Sequence, residues 1–207
     1  MNVGVLGIGN VLLRDEGAGV RAIEELESRY IFPDDVELLD GGTAGIELLQ
    51  YIQEKDLLII IDAMRNGQAP GTVYRLEDEE VPAAFMTSIS PHQLGISDLL
   101  AKATLIDALP ERLLLYGIEP KDLTTGIGLS AEVELGLGQV ILEVVALLEK
   151  NGLKPMVLER SASSPRGFWF RNASAVDEEN NPSSANSSSF CLSMTAGQTL
   201  KEKESMA

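Results

Sequence analysis

Three side chains that could bind a metal ion stand at the ends of predicted secondary-structure elements. Glu16 follows a first apolar strand, Asp62 ends a later one, and His92, the only histidine, lies at the start of a helix. Two carboxylates and one imidazole are oxygen and nitrogen donors that suit a borderline divalent ion such as nickel or zinc and leave coordination positions open. Their separations of 46 and 30 residues match no local metal motif, so only the fold can bring them together.

Each of these residues also has a structural interpretation. Glu16, with Asp15, could complement the positive end of the dipole of the following helix. Asp62 could cap a turn after its strand. His92 could be a partly exposed residue that is hydrogen-bonded to a neighbour. The residue types therefore allow a metal site without requiring one.

The glycines after the first strand suggest a dinucleotide-binding loop, but the rest of that loop argues against it. Gly7 and Gly9 match the first two glycines of the fingerprint, whereas Leu12 stands where the third is needed. Asp15 and Glu16 follow, and two carboxylates are unfavourable beside a phosphate. We therefore expect no nucleotide phosphate at this position.

Apolar runs typical of strands alternate with patterns of helical period along the first 150 residues. We predict strands at residues 3–8, 36–39, 57–61, 72–76 and 113–117, and helices at 18–30, 46–52, 90–109 and 131–150. The aliphatic run 57–61 has the composition of a central parallel strand, and 72–76 is predicted to return alongside it. Ser90, Pro91 and Gln93 have the spacing of a capping box at a helix start.

This alternation indicates an α/β fold with three layers, in which a twisted, mainly parallel sheet of about five strands has helices on both faces. Ligand-binding and active-site residues in such folds lie just beyond the carboxyl ends of the strands. Glu16, Asp62 and His92 are all predicted to lie at that edge.

Composition and charge exclude several classes of protein. The net charge is −16, from 32 acidic and 16 basic residues, so a nucleic-acid partner is not expected. Cys191 is the only cysteine, which excludes a disulfide framework or a cysteine metal site within the chain. No signal peptide and no apolar run long enough for membrane insertion is visible, so we expect a cytoplasmic protein.

The composition changes near residue 158. Residues 158–207 are rich in serine and asparagine and lack sustained periodicity, which predicts a disordered tail after a domain at residues 1–157. This tail could be a linker, an interaction arm or the result of an altered reading frame. It contains five basic and six acidic residues, which leaves 11 basic and 26 acidic residues in the domain.

Residues 7–20, with the sequence GIGNVLLRDEGAGV, resemble the opening signature of the hydrogenase maturation peptidases. Further stretches agree with that family in the same order, and the resemblance covers about residues 2–152. These stretches are Asp40-Gly41-Gly42-Thr43, Ile61-Asp62-Ala63, Ser90-Pro91-His92-Gln93, Gly117-Ile118-Glu119-Pro120 and Leu129-Ser130.

The resemblance implies an endopeptidase that removes a C-terminal extension from the [NiFe]-hydrogenase large-subunit precursor after nickel is loaded. It also implies that Glu16, Asp62 and His92 contact that nickel, which the substrate supplies, so that the free enzyme holds no tightly bound metal. The stretch Asp40-Gly41-Gly42-Thr43 is expected to contact the substrate, unless it is only a turn. Two other interpretations stay open: a related metal-assisted peptidase with a different substrate, and a binding module that checks for nickel without cleaving.

Overall fold

The computed structural model describes residues 1–86 and 91–158, with the side chains of residues 91 and 92 outside the described part. The predicted N-cap Ser90 and the predicted disordered tail, from residue 159 onward, also lie outside it. The strands are Val3–Ile8 (β1), Tyr30–Ile31 (β2), Val36–Gly42 (β3), Leu57–Ala63 (β4), Val73–Glu77 (β5), Arg112–Ile118 (β6) and Met156–Val157 (β7). The α-helices are Ala18–Arg29 (α1), Leu49–Gln53 (α2), Glu80–Met86 (α3), Pro91–Leu105 (α4) and Ala131–Lys150 (α5).

Five strands form the main sheet in the order β3-β1-β4-β6-β5. The first four are parallel, and β5 runs antiparallel to β6. All residues of β1 and β4 are buried, whereas β3 and β5 at the two edges are partly exposed. This confirms the prediction of a mainly parallel sheet with the run 57–61 as its central strand.

Helices cover both faces of the sheet, because successive strand residues point to opposite sides. Val5 and Ile59 belong to a hydrophobic core that includes residues of α1 and α5. Leu6 and Ile60 belong to a second core formed with residues of α2, α3 and α4. The three-layer α/β architecture is therefore confirmed.

The position of β5 corrects one prediction. We predicted that residues 72–76 return alongside β4, but β5 pairs with β6, from Val73 opposite Ile118 to Glu77 opposite Leu114. The strand β6, buried except at Arg112, takes the place beside β4. The partly exposed β5 suits the outer position, since an edge strand has a neighbour on one side only.

Some helix boundaries also differ from the predictions. The helix α4 ends at Leu105 rather than near Leu109. Asp107 has a φ of +55°, which is not helical, and the N–H of Ala108 donates a hydrogen bond to the carbonyl of Ala103. Residues 46–52 begin with a 3₁₀ turn, Ile46–Leu48, before α2. The helix α3 and the small antiparallel sheet of β2 and β7 were not predicted. Among the described residues, none of the helices combines the length and apolar character that a membrane span needs.

The strand order creates a switch point between β1 and β4. From β1 the chain continues to β3 on one side of the sheet, and from β4 it continues to β5 and then β6 on the other side. Connections that leave two neighbouring strands in opposite directions open a crevice at their carboxyl ends, where ligands bind in sheets of this type. The residues that follow β1 and end β4 therefore border the expected site.

Candidate active site at the carboxyl edge of the sheet

Glu16 lies in the 3₁₀ turn Arg14–Gly17, between β1 and α1, and is only 7% exposed. The turn folds back onto the end of β1. An added Cβ at Gly9 would overlap the carbonyl oxygen of Glu16, so a glycine, with its φ of +135°, is needed there. The sequence of this loop thus holds Glu16 close to the carboxyl end of β1.

The first turn of α1 connects this loop to β4. Any Cβ on Gly19 would overlap the carbonyl oxygens of both Ile61 and Ile8, so the helix backbone packs directly on the last residues of β1 and β4. Gly19 is three residues after Glu16, and Ile61 immediately precedes Asp62. This close packing places Glu16 at the same edge of the sheet as Asp62.

Asp62 is fully buried at the end of β4. The side-chain amide nitrogen of Gln93 donates to Asp62 Oδ2 at 3.0 Å and to the carbonyl oxygen of Ala63 at 3.2 Å. These bonds hold the first turn of α4 against the end of β4. They also orient the carboxylate of Asp62.

His92 immediately precedes Gln93 in the first turn of α4. The backbone of this turn is at the predicted edge of the sheet, since Gln93 contacts Asp62 and Ala63. The imidazole itself lies outside the described side chains. Its approach to Glu16 and Asp62 therefore stays a prediction.

Tyr74 adds a neutral hydroxyl near Asp62. Asp62 pairs with Gly117 across β4 and β6, and Gly117 pairs with Tyr74 across β6 and β5. A Cβ on Gly117 would overlap the ring of Tyr74, whose hydroxyl donates to the carbonyl of Met64 at 3.3 Å. Burial, together with the negative charges of Asp62 and Glu119, raises the pKa of Tyr74 above its usual range, so the phenol stays protonated.

Glu119 fixes the loop that follows β4. It is 6% exposed, and its Oε2 accepts hydrogen bonds from the backbone N–H of Asn66 at 2.7 Å and of Gln68 at 3.1 Å. The sequence analysis placed Glu119 in a family stretch but gave it no role. Its partners could not have been inferred from spacing, because they are more than 50 residues earlier in the chain.

The stretch Asp40-Gly41-Gly42-Thr43 ends β3 at the same edge. Asp40 Oδ1 accepts the N–H of Gly42 at 2.9 Å, and the carbonyl of Gly42 accepts the N–H of Gly9 at 2.8 Å. Gly41 is buried against Leu6, whereas the side chains of Asp40 and Thr43 are exposed. The stretch is thus both a turn tied to the loop after β1 and a surface that reaches solvent.

The structure therefore brings Glu16, Asp62 and residues 40–43 to one edge of the sheet. Among the side chains that the structure describes, there is no cluster of three histidine, cysteine, aspartate or glutamate residues that could hold a metal ion. The side chain of His92 is not among those described. The contacts of Gln93 and Glu119 were missed. Only the docking of α4 and of the loop after β6 reveals them.

The fold agrees with solved structures of endopeptidases, one of which is described as a hydrogenase-maturating enzyme. The hydrogenase maturating endopeptidase HybD from Escherichia coli superposes with a TM-score of 0.74 at 47% sequence identity, over 78% of this chain and 100% of that chain. A solution structure of an endopeptidase from E. coli gives a TM-score of 0.73 at 46% identity, over 78% of this chain and 100% of that one. The class defined by the fold is thus that of the hydrogenase-processing endopeptidases.

Sequence comparison leads to the same family. The family model described as HycI, hydrogenase maturation protease, matches residues 20–147. The hydrogenase 2 maturation protease of E. coli strain K12 is 48% identical over 160 residues, which are 77% of this chain and 98% of that protein. HoxM of Azotobacter vinelandii, a hydrogenase expression/formation protein, is 51% identical over 185 residues, 86% of this chain and 89% of its own. The chain belongs to the hydrogenase maturation protease family, and it is a peptidase.

Proposed function

We propose that this peptidase removes a C-terminal extension from the large-subunit precursor of a [NiFe]-hydrogenase once the precursor holds nickel. The observation that carries the proposal is the pair of buried carboxylates, Glu16 and Asp62, that border the switch point of the sheet. The backbone turn that bears His92 is fastened to Asp62 through Gln93. The names of the relatives support hydrogenase maturation as the process.

In this proposal Glu16, Asp62 and His92 contact the nickel ion that the precursor carries. Two carboxylates and one imidazole match the ligand preferences of nickel and zinc, but without thiolates they are expected to bind a free ion weakly. The precursor supplies the remaining ligands. Strong binding therefore requires a loaded precursor, and the enzyme discriminates against an empty one.

The rim formed by residues 40–43 is proposed to contact the polypeptide of the precursor. Asp40 and Thr43 are exposed there, and Gly42 is partly exposed with a φ of +50°. Gly41 packs against the core, so its contribution is to shape the turn. A backbone with little side-chain cover lets an extended peptide approach closely.

Cleavage is a hydrolysis in which water adds across the peptide bond, leaving a new carboxyl group on the precursor and a free amine on the extension. The precursor's nickel supplies either polarisation of the scissile carbonyl or a bound water of lowered pKa. Glu16 and Asp62 hold the ion in place, and this positions the scissile peptide bond of the precursor in the site. A nucleophile within the chain is not required for this reaction.

The test compares cleavage of nickel-loaded and nickel-free precursor by the full chain, followed by intact mass. We expect loss of the extension from the loaded precursor only. Glu16→Gln, Asp62→Asn and His92→Ala should each reduce cleavage by at least about 100-fold, because losing a metal contact should cost at least as much as losing a residue that orients one. The matched control is Glu77→Gln, which changes a half-exposed carboxylate at the far end of β5. Equal cleavage of both precursors, or full activity of His92→Ala, would refute the proposal.

A further inference from the structure

Asp15 and Glu16 are adjacent carboxylates with different surroundings. Asp15 is fully buried, and four donors saturate its carboxylate. Oδ2 accepts the N–H groups of Lys121 at 2.9 Å and Asp122 at 2.8 Å and the Ser130 hydroxyl at 2.9 Å, while Oδ1 accepts the N–H of Ser130 at 2.6 Å. All four donors belong to the loop between β6 and α5, 106 to 115 residues later in the chain.

Backbone contacts join the same two loops. The N–H of Asp15 donates to the carbonyl of Asp122 at 3.1 Å. The N–H of Arg14 donates to the carbonyl of Gly126 at 3.1 Å, and the N–H of Gly126 donates to the carbonyl of Leu12 at 2.9 Å. Arg14 has a φ of +47°, a conformation that is unfavourable for a residue with a side chain. Such a conformation persists only where the surroundings hold it.

These contacts restrain the turn that carries Glu16. The described hydrogen bonds of the Asp15 side chain all lead to the β6–α5 loop and none to the N-terminus of α1, which does not support the helix-dipole interpretation for this residue. Since Glu16 is the next residue in a one-turn 3₁₀ helix, a shift of Asp15 moves Glu16 with it.

We propose that Asp15 is a positioning residue: its buried carboxylate fastens the 14–17 turn to the β6–α5 loop and thereby fixes Glu16 at the edge of the sheet. The inference rests on the proposed role of Glu16 in the reaction. Asp15 itself has no contact with the substrate in this scheme. Its effect on the reaction passes through the position of Glu16.

Asp15→Asn is the informative variant, because it keeps the size of the side chain and replaces one acceptor oxygen with an NH₂ donor. Every group around Asp15 is already a donor, so at least one N–H loses its acceptor in either orientation of the amide. Hydrogen exchange of the full chain should become at least about tenfold faster for amides in residues 12–17 and 119–130. Amides of β1 and β4 should keep their protection.

Kinetics with nickel-loaded precursor complete the test. Asp15→Asn should lower kcat by about 10-fold to 100-fold, the range for residues that orient metal ligands, with a smaller change in KM. Ser130→Ala removes one of the four hydrogen bonds and should have a smaller effect in the same direction. The matched control is Glu77→Gln, which changes a half-exposed carboxylate at the far end of β5 and should match the wild type in exchange and cleavage.

The outcomes separate this inference from the proposed function. Unchanged exchange in residues 119–130, or faster exchange with unchanged kcat, would overturn the positioning role of Asp15 alone. Faster exchange throughout β1 and β4 would also overturn it, because the residue would then serve global stability. Full cleavage by Glu16→Gln would overturn both the proposed function and this inference.

Discussion

The two ends of the central sheet use buried charge differently. At the amino end, the side chain of Lys55 is 2% exposed, and its ammonium lies 2.5 Å from Glu37 Oε2 and 4.7 Å from the ring centre of Tyr51. At the carboxyl end, the carboxylates of Asp15, Asp62 and Glu119 accept hydrogen bonds from amide groups. An ion pair neutralises a buried charge, whereas amide donors orient a carboxylate and leave its negative charge in place.

This contrast indicates which end of the sheet can attract a cation. The amino end has the arrangement of a structural pair, with the lysine charge compensated by its own chain. The carboxyl end places oriented carboxylates next to the switch point, where the proposed nickel-bearing substrate docks. Substitutions at the two ends should therefore separate stability from cleavage.

The largest expected effect is on cleavage at the carboxyl end. Asp62→Asn keeps the shape of the buried side chain but removes its charge, so cleavage of loaded precursor should fall by at least about 100-fold while the unfolding free energy changes by about 1 kcal/mol or less. Rates from intact mass and unfolding in urea measure the two quantities. If Asp62→Asn destabilised the protein enough to explain its loss of cleavage, the proposed difference between the two ends of the sheet would be wrong.

Next in size is the loss of a residue that orients Asp62. Gln93→Ala removes the donor to Asp62 Oδ2 and should reduce cleavage by about tenfold, the lower range for partners of metal ligands. Gln93→Glu should reduce it further, because it places a second negative charge beside Asp62. Steady-state rates at saturating precursor test both variants, and Gln139→Ala on the exposed part of α5 is the matched control.

At the amino end the effect should appear in stability. Glu37→Ala leaves the buried ammonium of Lys55 without its carboxylate and should destabilise the protein by about 3 kcal/mol, as breaking a buried pair does. Lys55→Met leaves only Glu37, which is 55% exposed and can be hydrated, so its cost should be about 1 kcal/mol. Urea unfolding measures both. A larger cost for Lys55→Met than for Glu37→Ala would mean that burial of Lys55 is not the decisive factor.

The smallest effect is expected for Tyr74→Phe. Among the described residues the hydroxyl makes one long hydrogen bond, 3.3 Å to the carbonyl of Met64, and its removal should cost about 0.5–1 kcal/mol. Cleavage should change by less than about twofold, since the ring still packs on Gly117. A loss of tenfold or more would instead place the hydroxyl of Tyr74 in the reaction.

Local sequence patterns were enough for the architecture and for part of the site. The unbroken aliphatic run before Asp62 identified β4 as the central strand, and the rule about carboxyl ends then placed Asp62 and Glu16 at one edge. These predictions depended on apolar runs and on the alternation of strand and helix patterns, which can be read from the sequence.

The remaining features depend on how distant segments meet. Gln93 was read as part of a capping box, but its contact with Asp62 exists only because α4 packs across the end of β4. The donors to Asp15 are in a loop whose position depends on β6 and α5. The pairing of β5 with β6 depended on which strand took the buried place beside β4. No local spacing contains this information.

The small sheet of β2 and β7 determines where the described part of the chain ends. The helix α1 starts at the carboxyl edge of the main sheet and runs back to Arg29, whose carbonyl accepts the N–H of Leu158 at 2.8 Å. A chain shortened to Leu158 and attached to a solid support through its new C-terminus would therefore turn the carboxyl edge of the main sheet away from the support. Such an immobilised enzyme would leave the approach of a bulky precursor unobstructed.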